Sequence, residues 1–250
     1  MEKMGMYDVW TILFPGIVLI VSIKSIYDFM LSLPNLIYRT ERSVERYLIC
    51  CKMNLYTPKD VYELLIIMIL AYFCGLILHE ISSLIKKKII YKKGEPISLL
   101  FDPVRGVFDE QQIEKLTPMF VFLNNGKVFT TSDKEKLKRE SRYIFHKMNS
   151  ELQSKDIANK YVKLNIIYNT CAALSVSVIV LFLMILAFEL EFFFLKEYFQ
   201  ILYSINLVVL TIVIFFILVN RSKRYYSYWT KNIVLAYEQV YLHDVLMKKN

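Results

Sequence analysis

Glycine and proline are missing from residues 127–250, although the chain holds six of each. That half therefore lacks the residues that most readily supply left-handed turns, kinks and helix breaks. The interrupted intramembrane helices of secondary transporters depend on such breaks and are excluded from it. Cysteine is scarce as well, with Cys50, Cys51, Cys74 and Cys171 the four present. Cys74 and Cys171 fall in apolar runs, where a thiol behaves as a small hydrophobe. Adjacent Cys50 and Cys51 are ill placed to bridge one another, and no spacing matches a zinc knuckle or C-x-x-C. A disulfide framework is therefore not supported. His79-Glu80 is the one pairing that suggests catalysis, but a zinc-protease helix needs H-E-x-x-H, and the fifth position here is Ser83. His146 and His243 are isolated in sequence. The chain has no G-x-S-x-G, P-loop or glycine-rich nucleotide fingerprint.

Apolar residues, by contrast, are in excess. They make up 56% of the 250 residues, and the mean hydropathy is +0.38. A soluble domain would be about 45–50% apolar, so lipid is the simplest home for the surplus. Charged residues still account for 22% and are segregated from the apolar runs, which points to a protein part membrane and part aqueous. The net charge of +8 and a pI near 9.1 would suit a nucleic-acid binder. Much of the basic charge abuts predicted spans, however, so the cytoplasmic Lys/Arg excess of membrane proteins is preferred. Nucleic acid is not an expected partner. Abundant Ile, Lys, Tyr and Phe are compatible with an AT-rich bacterial genome.

The fold class expected is an all-α integral membrane protein with four transmembrane helices. Helical cytoplasmic extensions and a small cytoplasmic segment that could contain a hairpin complete it. Residues 1–33 form the first transmembrane helix, with Pro15-Gly16 near its start. Residues 34–59 make a basic loop on the far side, where Ile37, Val44 and Leu48 allow part of an amphipathic surface helix. Thr57-Pro58-Lys59-Asp60 signals the start of the second span, 60–86, with Thr57 as a cap and Asp60 at the positive end of the helix dipole.

Residues 87–163 are the cytoplasmic segment. With Lys86 included, it carries 17 Lys and Arg against 10 Asp and Glu. Phe120 to Phe129 around Asn125-Gly126 reads as a hairpin, in preference to a short helix with a glycine cap. Ser132-Asp-Lys-Glu135 reads as a capping box for a helix whose Leu137, Ser141, Ile144, Met148 and Leu152 share a face. That helix is expected to feed the transmembrane hairpin, 164–220, without a break. An acidic and aromatic link, 189–197, joins the hairpin's two spans, and Phe188, Phe192–Phe194, Tyr198 and Phe199 read as an interfacial belt. The tail, 221–250, is an amphipathic helix with Tyr226, Trp229, Ile233, Tyr237, Val240 and Tyr241 on one side. Either lipid or the preceding helix could cover that side. Lys and Arg near the spans place both termini in the cytoplasm of a bacterial inner membrane, with the basic first loop as the contrary feature.

Ala172, Ala173, Ser175 and Ser177 form a small-residue face in the third span, and Ala173/Ser177 have the small-x-x-x-small spacing of closely packed helices. Asn206 and Thr211 in the fourth span can hydrogen-bond across a helix interface. Packing within one protomer explains all six, and packing between protomers would make the protein a homo-oligomer. Lys24 and Asp28 share a face near the end of the first span and read as a snorkelling pair. Lys24, Asp28, His79 and Glu80 are the intramembrane or interfacial polar candidates. Nothing implies a metal or a cofactor.

The opening Phe14-Pro15-Gly16, the closing Ala71-Tyr72-x-x-Gly75-x-x-x-His79 and a charged helix feeding a final hairpin resemble a loose class. That class is the small multi-span membrane proteins encoded beside bacterial antiviral and CRISPR systems. The resemblance implies an oligomeric membrane effector or accessory that answers a soluble partner and perturbs the membrane when infection is sensed. It carries over no functional residue. Three functions are therefore expected in turn. The first is a non-enzymatic oligomer that alters permeability, the second a membrane anchor for a soluble cytoplasmic protein, and the third a membrane hydrolase using His79 and Glu80.

Overall fold

The computed structural model describes residues 2–37, 60–92, 94–127, 134–194 and 198–247. Among them every regular element is helical. The α-helices are α1 (Glu2–Ile37), α2 (Val61–Ile85), α3 (Glu110–Leu123), α4 (Lys134–Ser154), α5 (Val162–Phe194) and α6 (Tyr198–Met247). A π-turn at Lys86–Ile90 and 3-10 turns at Pro96–Leu99 and Ala158–Tyr161 link them. Four helical stretches are long and apolar enough to cross a membrane: Val9–Asp28, Val61–Lys88, Ala158–Leu190 and Ser204–His243. The protein is an all-α, multi-pass membrane protein.

The chain forms two compact units. The apolar unit comprises Met1–Ile85 and Asn169–Arg221, and the aqueous unit comprises Lys86–Tyr168 and Ser222–Asn250. Inside the apolar unit, α1 and α2 cross at two glycines. A Cβ added to Gly16 would lie 1.8 Å from the carbonyl oxygen of Ala71, and one added to Gly75 would lie 1.9 Å from that of Ile12. Lipid tails are as apolar as leucine, so association here rests on backbone approach rather than on a hydrophobic drive. Leu19, Leu78, Val176 and Leu181 bring α5 onto the same pair of helices. Ile185 packs with Ile26, Leu207 and Val208 to draw in α6.

The aqueous unit has an ordinary hydrophobic core. Phe108, Phe120, Leu123, Ile144, Phe145, Met148, Leu152, Ile233 and Val234 are all nearly or wholly buried. Each such side chain contributes about 1.5–3 kcal/mol. The expected face of α4 is the buried one: Ser141, Ile144, Met148 and Leu152 have no exposed surface. It is α4, not lipid, that meets the tail, with Phe145 on Trp229 at 5.1 Å and the Tyr237 hydroxyl donating to Glu151 at 2.6 Å. The segment Lys86–Tyr168 and the tail are thus one folded body.

Several expectations are corrected. Phe120 to Leu123 are not a strand but the last turn of α3, which begins with a reciprocal Asp109/Gln112 capping box. The helix ends with Asn125 at φ 57°, Gly126 at φ 79° and the Gly126 amide bonded to the Val121 carbonyl at 2.9 Å. The glycine-capped alternative holds because the apolar residues Leu116, Met119, Phe120 and Leu123 recur at helical, not alternating, spacing and all are buried. The second span is capped by Asp60, whose carboxylate accepts the Glu63 amide at 2.7 Å.

The α4 helix does not run on into the third span. It stops at Asp156, φ 58°, with the Ile157 amide bonded back to the Leu152 carbonyl at 2.9 Å. This is a Schellman stop without glycine, a conformation that Asp tolerates better than most residues. Helix α5 extends to Phe194 and α6 starts at Tyr198, so the link is shorter than expected. The readings of Cys50 and Cys51, of Ile37, Val44 and Leu48 as a surface helix, of Thr57 and Pro58 and of the Ser132 cap lie wholly or mainly outside the described residues. So do the side chains of Phe192, Phe194, Tyr198 and Phe199.

Candidate functional site

Ala172, Ala173, Ser175 and Ser177 are each at most 1% exposed. The Ser175 hydroxyl donates to the Ala172 carbonyl at 2.7 Å. That of Ser177 reaches the Ala173 carbonyl at 3.4 Å and, across to α1, the Pro15 carbonyl at 3.5 Å. This face is covered within one chain, as packing inside a protomer requires. Thr211 is also buried and donates to the Val208 carbonyl at 2.8 Å. Asn206 is different: it is exposed, on the side of α6 away from buried Ser204. The sequence reading missed that Ser204 donates to the Glu189 carboxylate at 2.7 Å, fastening the far ends of α5 and α6. The only hint was two polar residues flanking the link. Phe188 of the expected aromatic belt packs on Tyr27, with 6.0 Å between ring centroids.

Lys24 and Asp28 are exposed on α1, Glu80 is exposed on α2, and His79 is partly buried beside it. The His79 carbonyl accepts the Ser82 hydroxyl at 2.7 Å. His146 and His243 are exposed and belong to the aqueous unit. Among the described residues no three His, Cys, Asp or Glu side chains gather as a metal site.

The most organised polar and aromatic cluster lies in the aqueous unit, and sequence periodicity did not reveal it. Lys86 is 9% exposed, and its ammonium sits 4.7 Å from the centroid of the Tyr168 ring. A cation over an aromatic face is attracted by the ring's quadrupole, more so when both are withdrawn from water. Tyr168 stacks on Tyr226 at 4.4 Å and 11°, and Tyr91 meets Tyr226 edge-on at 5.3 Å. Tyr226 continues to Trp229 at 5.9 Å, and Trp229 to Phe145 in the core. The buried Ser222 hydroxyl donates to the Tyr168 carbonyl at 3.3 Å. Burial, reinforced by Tyr168 and the Glu95 carboxylate, pushes the Tyr91 phenol well above its usual range, so it stays protonated at any physiological pH. Glu95 also pairs with Arg142 at 3.5 Å.

The chain passes between its two units at three points: after Ile85, after Tyr168 and after Arg221. Lys86, Tyr168 and Ser222 are the aqueous-unit residues at those points, and they meet in this one cluster. Lys86 also opens the π-turn, closed by the Tyr91 amide on the Lys86 carbonyl at 2.8 Å, a helix irregularity frequent at functional positions. Tyr91, Tyr168 and Tyr226 are far apart in sequence, so no local pattern could have joined them.

No protein-family model, curated protein or solved structure matches this chain.

Proposed function

We propose that the chain is a non-enzymatic, homo-oligomeric membrane protein whose aqueous unit receives a cytoplasmic signal and whose spans change membrane permeability. The observation that carries the reading is the Lys86–Tyr168–Tyr226 cluster, because it ties together the three points at which the chain leaves the aqueous unit. Any rearrangement of the aqueous core is felt there by α2, α5 and α6 together. Asn206 supports assembly: an exposed amide in an apolar span is costly to leave in lipid, and a second copy of the same amide can both donate to it and accept from it. The Lys/Arg distribution supports a bacterial inner-membrane location with both termini in the cytoplasm. A soluble cytoplasmic protein is the expected source of the signal, and the layout shared with defence-associated membrane proteins makes infection the expected occasion.

The test pairs oligomer mass in mild detergent with membrane potential in expressing cells, read by a voltage-sensitive dye. Wild type should be oligomeric and depolarising. Tyr226→Leu, which keeps apolar bulk but removes the stack, should assemble normally and depolarise at least severalfold less. Strict monomers together with an unchanged membrane potential would overturn the reading.

A further inference from the structure

Five exposed basic residues of the aqueous unit stand next to the points at which the chain leaves it. Lys87 and Lys88 follow the crossing after Ile85, Lys223 and Arg224 follow the crossing after Arg221, and Lys163 lies on α5 shortly before the crossing after Tyr168. At 3.6 residues per turn the first four are within one helical turn of their crossing, and Lys163 is within two. No acid answers them along the chain: residues 81–94, 157–188 and 198–237 contain neither Asp nor Glu. The buried cluster described above brings these segments together, because the Lys86 ammonium lies over the Tyr168 ring and the Ser222 hydroxyl bonds to the Tyr168 carbonyl. Lys86 is committed to that ring, whereas its neighbours Lys87 and Lys88 are exposed. The Glu95 carboxylate bears on the cluster, but it is paired with Arg142 at 3.5 Å. None of the five exposed cations takes part in an ion pair among the described residues. Just beyond Arg224, Tyr225 and Tyr228 meet edge-on at 6.4 Å, and Tyr228 is half exposed. Tyrosine, with an apolar ring and a polar tip, is enriched where acyl chains give way to headgroups.

We infer that Lys87, Lys88, Lys163, Lys223 and Arg224 form a collar that binds the headgroups of anionic phospholipids. Each of the three segments runs directly into a helix long and apolar enough to cross a membrane, so the collar stands at the level of the lipid phosphates. A lysine stem covers apolar surface while its ammonium reaches into the headgroup layer, and the guanidinium of Arg224 can grip a phosphate through two parallel bonds. Near an anionic surface each such residue strengthens attraction about fivefold. A soluble polyanion is a poorer occupant, because the bilayer that holds the spans already fills the space beside them with phosphates. The collar matters to the junction itself. Lipids bound there neutralise the like charges that the Lys86 cluster crowds together, and so hold the starts and ends of α2, α5 and α6 in register with the membrane surface. The inference needs only the membrane location of the spans and stands apart from the permeability reading.

Native mass spectrometry of the full-length protein in mild detergent, titrated with phosphatidylglycerol and with phosphatidylcholine of the same acyl chains, tests the collar. Phosphatidylglycerol should bind saturably and at least tenfold tighter than phosphatidylcholine, with the preference shrinking as salt is raised. The variant Lys87→Gln/Lys88→Gln/Lys223→Gln/Arg224→Gln should lose at least tenfold of that preference. The charge-keeping variant Lys87→Arg/Lys88→Arg/Lys223→Arg should retain it, as should Lys127→Gln/Lys134→Gln, which removes two exposed lysines elsewhere in the aqueous unit. Should the fourfold variant fail to fold, Lys87→Gln/Lys88→Gln and Lys223→Gln/Arg224→Gln decide separately, each losing part of the preference. Equal binding of the two lipids, or a preference untouched by the glutamine variants, would overturn the collar. Tight binding of a short single-stranded RNA that abolishes phosphatidylglycerol binding would overturn the lipid as occupant in favour of nucleic acid. A phosphatidylglycerol preference in a protein that never depolarises a membrane would support the collar and remove the permeability reading, and depolarisation without the preference would do the reverse.

Discussion

The two units of this chain pack by opposite rules. In the apolar unit most of the fully covered residues are small, such as Ala71, Gly75, Ala173, Ser175 and Ser177, with Ile185 a large exception, while many large side chains such as Ile69, Phe73, Ile77 and Phe216 face outward. In the aqueous unit Phe108, Phe120, Phe145 and Met148 are inside, and pairs such as Lys115–Glu238 and Arg139–Glu135 lie at the surface. The cause is the solvent. Water drives large apolar groups together, whereas lipid welcomes them outside and leaves close backbone contact as the cohesive force. Buried hydroxyls behave alike in both units and mostly bond to carbonyls of their own helix, as Ser175 and Thr211 do in the apolar unit and Ser141 and Thr230 in the aqueous one. The aqueous unit adds a charged bond between elements, with Lys147 donating to the Leu123 carbonyl at the end of α3, 3.1 Å away.

The largest effect expected comes from enlarging a residue at the apolar crossing. Gly75→Val puts atoms into the Ile12 carbonyl, a backbone group that no rotamer change can move. The loss should exceed the roughly 1–3 kcal/mol of ordinary overpacking, seen as a lowered melting temperature in detergent or failure to accumulate. Ile77→Val, on the outward face of the same helix, should leave melting unchanged. Next comes Phe145→Ala in the aqueous core, with an expected loss of about 3–5 kcal/mol in urea titrations followed through Trp229 fluorescence.

A smaller and equal effect is expected where the units use the same device. Asp60→Ala uncaps α2 and Asp109→Ala uncaps α3, each costing about 1 kcal/mol. Clearly unequal losses would show that the cap's worth depends on the unit. Smallest of all is Ser177→Ala, about 0.6 kcal/mol or less, the average for interhelical hydrogen bonds in membranes. A loss above about 2 kcal/mol would mean that the contact to Pro15 holds α5 on α1 far more strongly than its 3.5 Å length suggests.

The helical class, the four spans and the inward faces of α4 and the tail were legible because each follows from local repetition of apolar residues. The Ala172–Ser177 face was legible as a packing surface, though not which surface it meets. Asn125-Gly126 misled because the same dipeptide serves a hairpin and a helix stop, and only the burial of Leu116, Phe120 and Leu123 on one face separates them. The end of α4 was missed because helix stops usually carry glycine, and here Asp156 takes the left-handed conformation instead. The Lys86 cluster was invisible for a different reason: its members come from three distant segments.

By itself, then, the sequence determined the solvent of each segment and the secondary structure that solvent permits. A run of some 20 apolar residues in lipid must satisfy its backbone internally and so must be helical. Only the tertiary structure decided which helices touch. It set Gly16 against the Ala71 carbonyl and Gly75 against that of Ile12, folded the segment Lys86–Tyr168 and the tail around one core, and gathered Lys86, Tyr168 and Ser222 at the three crossing points. Periodicity is a property of neighbours in sequence, whereas these contacts are selected by shape and hydrogen-bond complementarity between residues that are far apart along the chain.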